Sequence, residues 1–150
     1  MFAAITIALI LVLITFAIHY LALTWLASTL QQTGKPRERK PWAILVIVFT
    51  LFWVHMAEIG IYAIAYYISI IHLDIGGLGG IVADTPMLIF YYSGVVYTSL
   101  GFGDIYPVGH IRFITQVEAL NGLMLITWSA SFTYLQMKTI WDFDRSHHPR

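Results

Sequence analysis

Between Phe2 and Ala27 the chain carries no charged side chain, and His19 is the only strongly polar residue in the run. A helix of about 20 apolar residues crosses the hydrocarbon core of a bilayer, so this run predicts a membrane-spanning helix. It is too long for the apolar part of a secretory signal and has no basic segment before it. Trp42 to Ile71 repeats the pattern, interrupted by His55 and Glu58, and a third run extends from about Ile111 to Met137. Backbone polar groups in hydrocarbon must be satisfied within the protein, so all three are expected as helices. Charged residues make up 11% of the chain, well below the roughly 25% of soluble domains. The formal net charge of zero argues against nucleic acid as a partner. The absence of cysteine excludes disulfides and thiolate metal sites.

The segments between the runs predict orientation. Residues 31–41 hold Lys35, Arg37, Arg39 and Lys40 against Glu38, and loops rich in Lys and Arg stay in the cytoplasm. The Gly-rich connection from Asp74 to Asp84 has two acids and no base, which places it outside. The tail, residues 139–150, carries Arg145 and Arg150 and follows Lys138, so it returns to the cytoplasm. The expected location is a cell membrane, multi-pass, with the N-terminus external and the C-terminus cytoplasmic. Arg112, on the outer side, departs from this pattern.

Asp84-Thr85-Pro86 reads as a helix start. Asp or Thr can accept from the first free amides, and Pro suits the first turn. The helix expected from Met87 to about Thr98 is too short to span and reads as re-entrant. Directly after it comes Thr98-Ser99-Leu100-Gly101-Phe102-Gly103-Asp104. Glycine permits positive φ, which lets successive carbonyls turn to one side instead of alternating. Irregular backbone is tolerated at membrane depth only where it is buried in protein or lines a water-filled path. Carbonyls facing an axis can replace the hydration shell of an alkali cation when four such loops form each ring. One chain supplies a quarter of a ring, so a homotetramer is expected.

Residues 42–138 resemble the two-transmembrane potassium-channel pore family: outer helix, pore helix, filter and inner helix. Its pattern Thr-Thr-Val-Gly-Tyr-Gly-Asp maps onto residues 98–104. The resemblance implies potassium ions bound by Thr98, Ser99, Leu100, Gly101, Phe102 and Gly103, with Asp104 at the outer mouth. It implies a supporting aromatic pair at Tyr91 and Tyr92, a proline after the filter at Pro107 and a hinge at or beside Gly122. The segment Val117-Glu118-Ala119-Leu120-Asn121-Gly122 is also similar to the inner helix of bacterial members. The first span, residues 1–30, lies outside the resemblance.

Three positions differ from the family pattern. Ser99 lacks the methyl that stiffens threonine, Leu100 replaces a β-branched residue, and Phe102 lacks the hydroxyl with which Tyr ties the filter to surrounding aromatics. Tyr91, Tyr92 and Tyr97 are candidates to restore part of that cuff. Met124, Thr127 and Ser131, at helical spacing below Gly122, are the expected cavity wall. His55 and Glu58, three apart, share a helix face and are expected to brace the outer helix or gate the pore. A mid-span carboxylate is costly in lipid, so Glu58 must meet protein or water. Glu118 is expected behind the pore helix as filter support, and His19 as a packed polar residue.

The expected fold class is an all-α membrane protein with three spans and one re-entrant pore helix per subunit, assembled as a tetramer in lipid. The expected function is passive potassium conduction, without catalysis, organic cofactor or nucleic acid. A weakly selective cation channel, a non-conducting assembly subunit and a haem carrier using His19 and His55 are the other readings of the same residues.

Overall fold

The computed structural model describes residues 1–32, 42–80 and 85–147, with side chains described at 1–29, 42–80 and 85–139. The cationic residues of the 31–41 loop, Asp84 and the tail side chains, Arg145 and Arg150 among them, lie outside the described residues. The described chain forms helices α1 (Phe2–Gln32) and α2 (Trp42–Ile71), strand β1 (Gly76–Gly80), helix α3 (Pro86–Tyr97), strand β2 (Ile105–Gly109) and helix α4 (Ile111–His147).

Over Phe2–Thr29 and Trp42–Ile71 the first two helices are long and apolar enough to cross a membrane. Helix α4 is longer, at 37 residues, and continues past Met137 into the segment expected as a tail. It mixes Gln116, Glu118, Asn121, Thr127, Ser129 and Ser131 among its apolar side chains.

Helix α1 shows how these helices choose their inner faces. Its buried residues are Ala4, Ala8, Leu11, Thr15, His19, Leu23 and Leu26, spaced three or four apart along one stripe. Leu9, Leu13, Leu21 and Trp25 on other faces are exposed. Hydrophobicity cannot select the buried face when lipid is as apolar as leucine, so small and polar residues do so. The stripe packs mainly on α4 and also on α2.

Helix α3 lies against α2 and α4. Pro86 occupies its first turn, and the Thr85 carbonyl accepts from the amides of Leu88 and Ile89. The Thr85 side chain makes no capping bond; Asp84, the other candidate cap, lies outside the described residues. Proline supplies the helical φ at the start and has no amide to leave unpaired.

The all-α expectation needs one correction. The Gly-rich connection is strand β1, antiparallel to β2, with Gly76 opposite Gly109, Leu78 opposite Pro107 and Gly80 opposite Ile105. Glycine is a poor strand former in general, but here its missing side chain is what permits the pairing. A Cβ on Gly79 would collide with the Tyr106 ring, and one on Gly80 with the Asp104 carbonyl. The observed architecture is therefore an α-helical membrane fold with a short two-stranded sheet beside the 98–104 loop.

Candidate functional site: the pore loop and its supports

Helix α3 ends in a tightened turn. The Thr98 amide donates to Gly94 O, Ser99 N to Val96 O at 2.8 Å and Leu100 N to Val95 O at 3.0 Å. The Thr98 hydroxyl also donates to Gly94 O, at 2.7 Å. Beyond this turn φ is positive at Ser99 (58°), Gly101 (56°) and Gly103 (80°), and at no other residue between Thr98 and Asp104. Reversing handedness at every second residue turns successive peptide planes the same way, so their carbonyls can share one side. Ser99 adopts this conformation without being glycine, which is uncommon for an L-residue. Residues 98–103 are all exposed on the single chain, and a Cβ at Gly101 or Gly103 would meet nothing within 4 Å.

The C-terminal end of the loop is held at Asp104. Its Oδ2 accepts from the Tyr91 hydroxyl at 2.8 Å, and its Oδ1 from the Ile105 amide at 3.0 Å. That carboxylate beside it raises the Tyr91 phenol above its usual pKa. Arg112 Nε donates to Pro107 O at 3.0 Å, which gives the base that departs from the charge pattern a partner on β2.

Behind α3 lies Glu118, buried in α4. Its Oε1 accepts from the Ser93 hydroxyl at 2.5 Å and its Oε2 from the Tyr66 hydroxyl at 2.6 Å. Tyr92 reaches Thr115 of α4 at 2.8 Å and stacks edge-on with Tyr66. The adjacent tyrosines thus diverge, Tyr91 toward Asp104 and Tyr92 back toward α4. Tyr97 goes elsewhere again, to Glu58 and His55. Within one chain the three phenols are therefore committed to polar partners other than Phe102.

Gly122 meets the end of α3, where a Cβ would collide with the Tyr97 carbonyl. Close helix approach is thus one reason for glycine at the position read from the resemblance as a hinge. Next to it, Asn121 Nδ2 donates to Thr15 Oγ1 at 2.8 Å and to the Tyr62 hydroxyl at 3.0 Å. Met124, Thr127 and Ser131 lie on an exposed face of α4 and line an open groove with Phe16 and Trp128. The Thr127 and Ser131 hydroxyls bond back to their own helix.

His55 and Glu58 are joined, at 3.2 Å, and the structure adds a third member, expected from the sequence only as a packed polar residue. His19 of α1 is fully buried with its Nδ1 3.0 Å from Glu58 Oε1. Its signal in the sequence was present: it is the lone strongly polar side chain in a charge-free span. The identity of its partner depended on how α1 packs.

The family model described as "Ion channel" matches residues 42–138, which covers α2, both strands, α3 and most of α4. No curated protein and no solved structure matches the chain. A match over well more than half of the chain, centred on an exposed loop of alternating backbone handedness that follows a short apolar helix, makes this chain a member of the ion-channel family, a non-enzymatic one.

Proposed function

We propose that four copies of this chain surround a potassium-selective pore, with Ser99-Leu100-Gly101-Phe102-Gly103 of each copy lining the filter. The observation that carries this reading is the alternation of positive φ at residues 99, 101 and 103 in a loop that is exposed within one chain. Leu100 is 61% exposed and Phe102 64%; symmetry-related copies would bury them and complete the oxygen rings. Thr98 and Ser99 would supply the innermost oxygens and Asp104 would attract cations to the mouth. Helix α3 would enter from outside and point its carbonyl end at the cavity, where the helix dipole favours a cation. Met124, Thr127 and Ser131 would line that cavity, and Gly122 would let α4 bend. Glu118, Tyr91 and Tyr92 would hold the filter from behind, while His55 and Glu58 would brace α2 against α3.

The test is the reversal potential of purified protein in a planar bilayer with potassium on one side and sodium on the other. A reversal near the potassium equilibrium potential is expected. Equal permeability would favour the weakly selective reading, for which the softer wall behind Leu100 and the missing hydroxyl of Phe102 are the specific grounds. Absence of current from a folded tetramer would favour a non-conducting assembly subunit. The proposed orientation is tested separately. A cysteine at Gly77 should react with an impermeant thiol reagent applied to intact cells, and one at Gly34 should not; the opposite labelling would invert the topology.

A further inference from the structure

All four helices send a polar side chain to one buried point. His19 comes from α1, His55 and Glu58 from α2, Tyr97 from α3 and Ser129 from α4. His19 Nδ1 lies 3.0 Å from Glu58 Oε1, and His55 Nδ1 lies 3.2 Å from Glu58 Oε2. The Tyr97 hydroxyl is 2.5 Å from Glu58 Oε2 and 2.8 Å from His55 Nδ1. The other ring nitrogens converge on one hydroxyl: Ser129 Oγ is 3.0 Å from His55 Nε2 and 3.2 Å from His19 Nε2.

Counting hydrogens shows that something is missing from this set. With an ionised carboxylate and neutral imidazoles, the five side chains offer four hydrogens, one each on His19, His55, Tyr97 and Ser129. Ser129 can donate to only one Nε2. If the other imidazole carries its hydrogen on Nε2, its Nδ1 is bare and faces the carboxylate. If both imidazoles carry hydrogen on Nδ1, one Nε2 faces Ser129 Oγ with no hydrogen between them. Every arrangement leaves two acceptors opposed in a buried setting, where unpaired polar groups are costly. In this ionisation state the cluster calls for one further cation, a proton or a metal ion.

We propose that this cation is a divalent transition metal of the zinc class, held by Nδ1 of His19, Nδ1 of His55 and the Glu58 carboxylate. The ligand atoms of these three residues all lie within 4.8 Å of one another. Their closest separations approach the roughly 3.3 Å edge of a tetrahedron with bonds of about 2.0 Å. Two imidazoles with one carboxylate select such metals over calcium or magnesium, which prefer all-oxygen sets. With the metal bound, the hydrogens of both rings and of Tyr97 each have an acceptor. Both imidazoles carry Nε2–H and donate to the two lone pairs of Ser129 Oγ, leaving both Nδ1 atoms free as ligands. Tyr97 donates to Glu58 and orients it. Outer hydrogen bonds of this kind usually accompany metal-bound histidine. His55, whose side chain is 18% exposed, opens the cluster to a groove shared with Leu51, Phe52 and Ser129. The site would fasten α1, which lies outside the family match, to the last residue of α3.

The test uses the full chain in detergent, purified without a metal-affinity tag, with Co²⁺ as the probe because its visible d–d bands report coordination. One Co²⁺ per chain is expected, displaced by Zn²⁺. His19→Gln and His55→Gln should abolish the bands while circular dichroism and gel filtration show a folded protein. Ser129→Ala removes no ligand and should weaken Co²⁺ binding about 10–100-fold; it carries the test if a histidine variant fails to fold. A folded parent that takes up neither metal would overturn the site and assign the missing cation to a proton. Bands that persist unchanged in the histidine variants, or an affinity unmoved by Ser129→Ala, would also overturn it. Metal uptake is read without ion flux, so this inference and the channel reading fail separately.

Discussion

The pore loop and the buried polar cluster lie within a few residues of each other in sequence at Tyr97 and Thr98, yet they are built on opposite principles. The loop is defined by its backbone handedness, and residues 98–103 are all exposed. The cluster works through side chains, and His19 and Glu58 are wholly buried. One chain assembles the cluster from its own four helices, whereas it leaves the loop uncovered. The contrast separates what folding of one chain secures from what the proposed association would complete. It also predicts which substitutions strike function and which strike stability.

The largest effect on function is expected from Gly101→Ala. The φ of 56° at this position is unfavourable for a residue with a Cβ, at about 1–2 kcal/mol, although nothing within one chain would touch the new methyl. Potassium flux into liposomes should fall at least tenfold, while helix content and oligomer size stay unchanged. Undiminished flux would show that the loop's backbone handedness is not its working feature. Gly122→Ala should do the reverse. Its methyl would strike the Tyr97 carbonyl inside the helix packing, an overpacking cost of about 1–3 kcal/mol, to be read from thermal or denaturant unfolding in detergent. An unchanged melting curve would mean that α3 and α4 separate easily there. The smallest effect is expected from Tyr91→Phe, which removes the hydroxyl that reaches Asp104 at 2.8 Å on an exposed face. Because that bond is open to solvent, only a small loss of stability is expected, below that of Gly122→Ala. A loss as large as that of Gly122→Ala would dissolve the contrast between exposed mouth and packed interior.

Legibility in the sequence followed the same division. The bounds of α2 at Trp42 and Ile71 coincide with the apolar run, because span length and hydropathy are local properties. Gly101 and Gly103 announced their positive φ because few other residues adopt it at low cost. Strand β1 was hidden, since Gly76–Gly80 has no side-chain periodicity, and its pairing depends on the Tyr106 ring and Asp104 carbonyl that it accommodates. The Thr85 hydroxyl shows the limit of capping rules: the residue type was right for a cap, but the bond is absent.

What the sequence determined by itself is the set of membrane-length helices, the short helix that cannot span, and the backbone freedom of the loop after it. These follow from hydropathy, length and glycine content, which act over neighbouring residues. Tertiary structure decided the partners: that His19 meets Glu58, that Glu118 receives Ser93 and Tyr66, and that Gly122 faces the Tyr97 carbonyl. In a chain whose lipid-facing surface is as apolar as its interior, hydrophobicity does not specify which faces meet. Small residues and buried hydrogen bonds settle that choice, and their complements lie 25 to 52 residues away in the chain for these three carboxylate pairs.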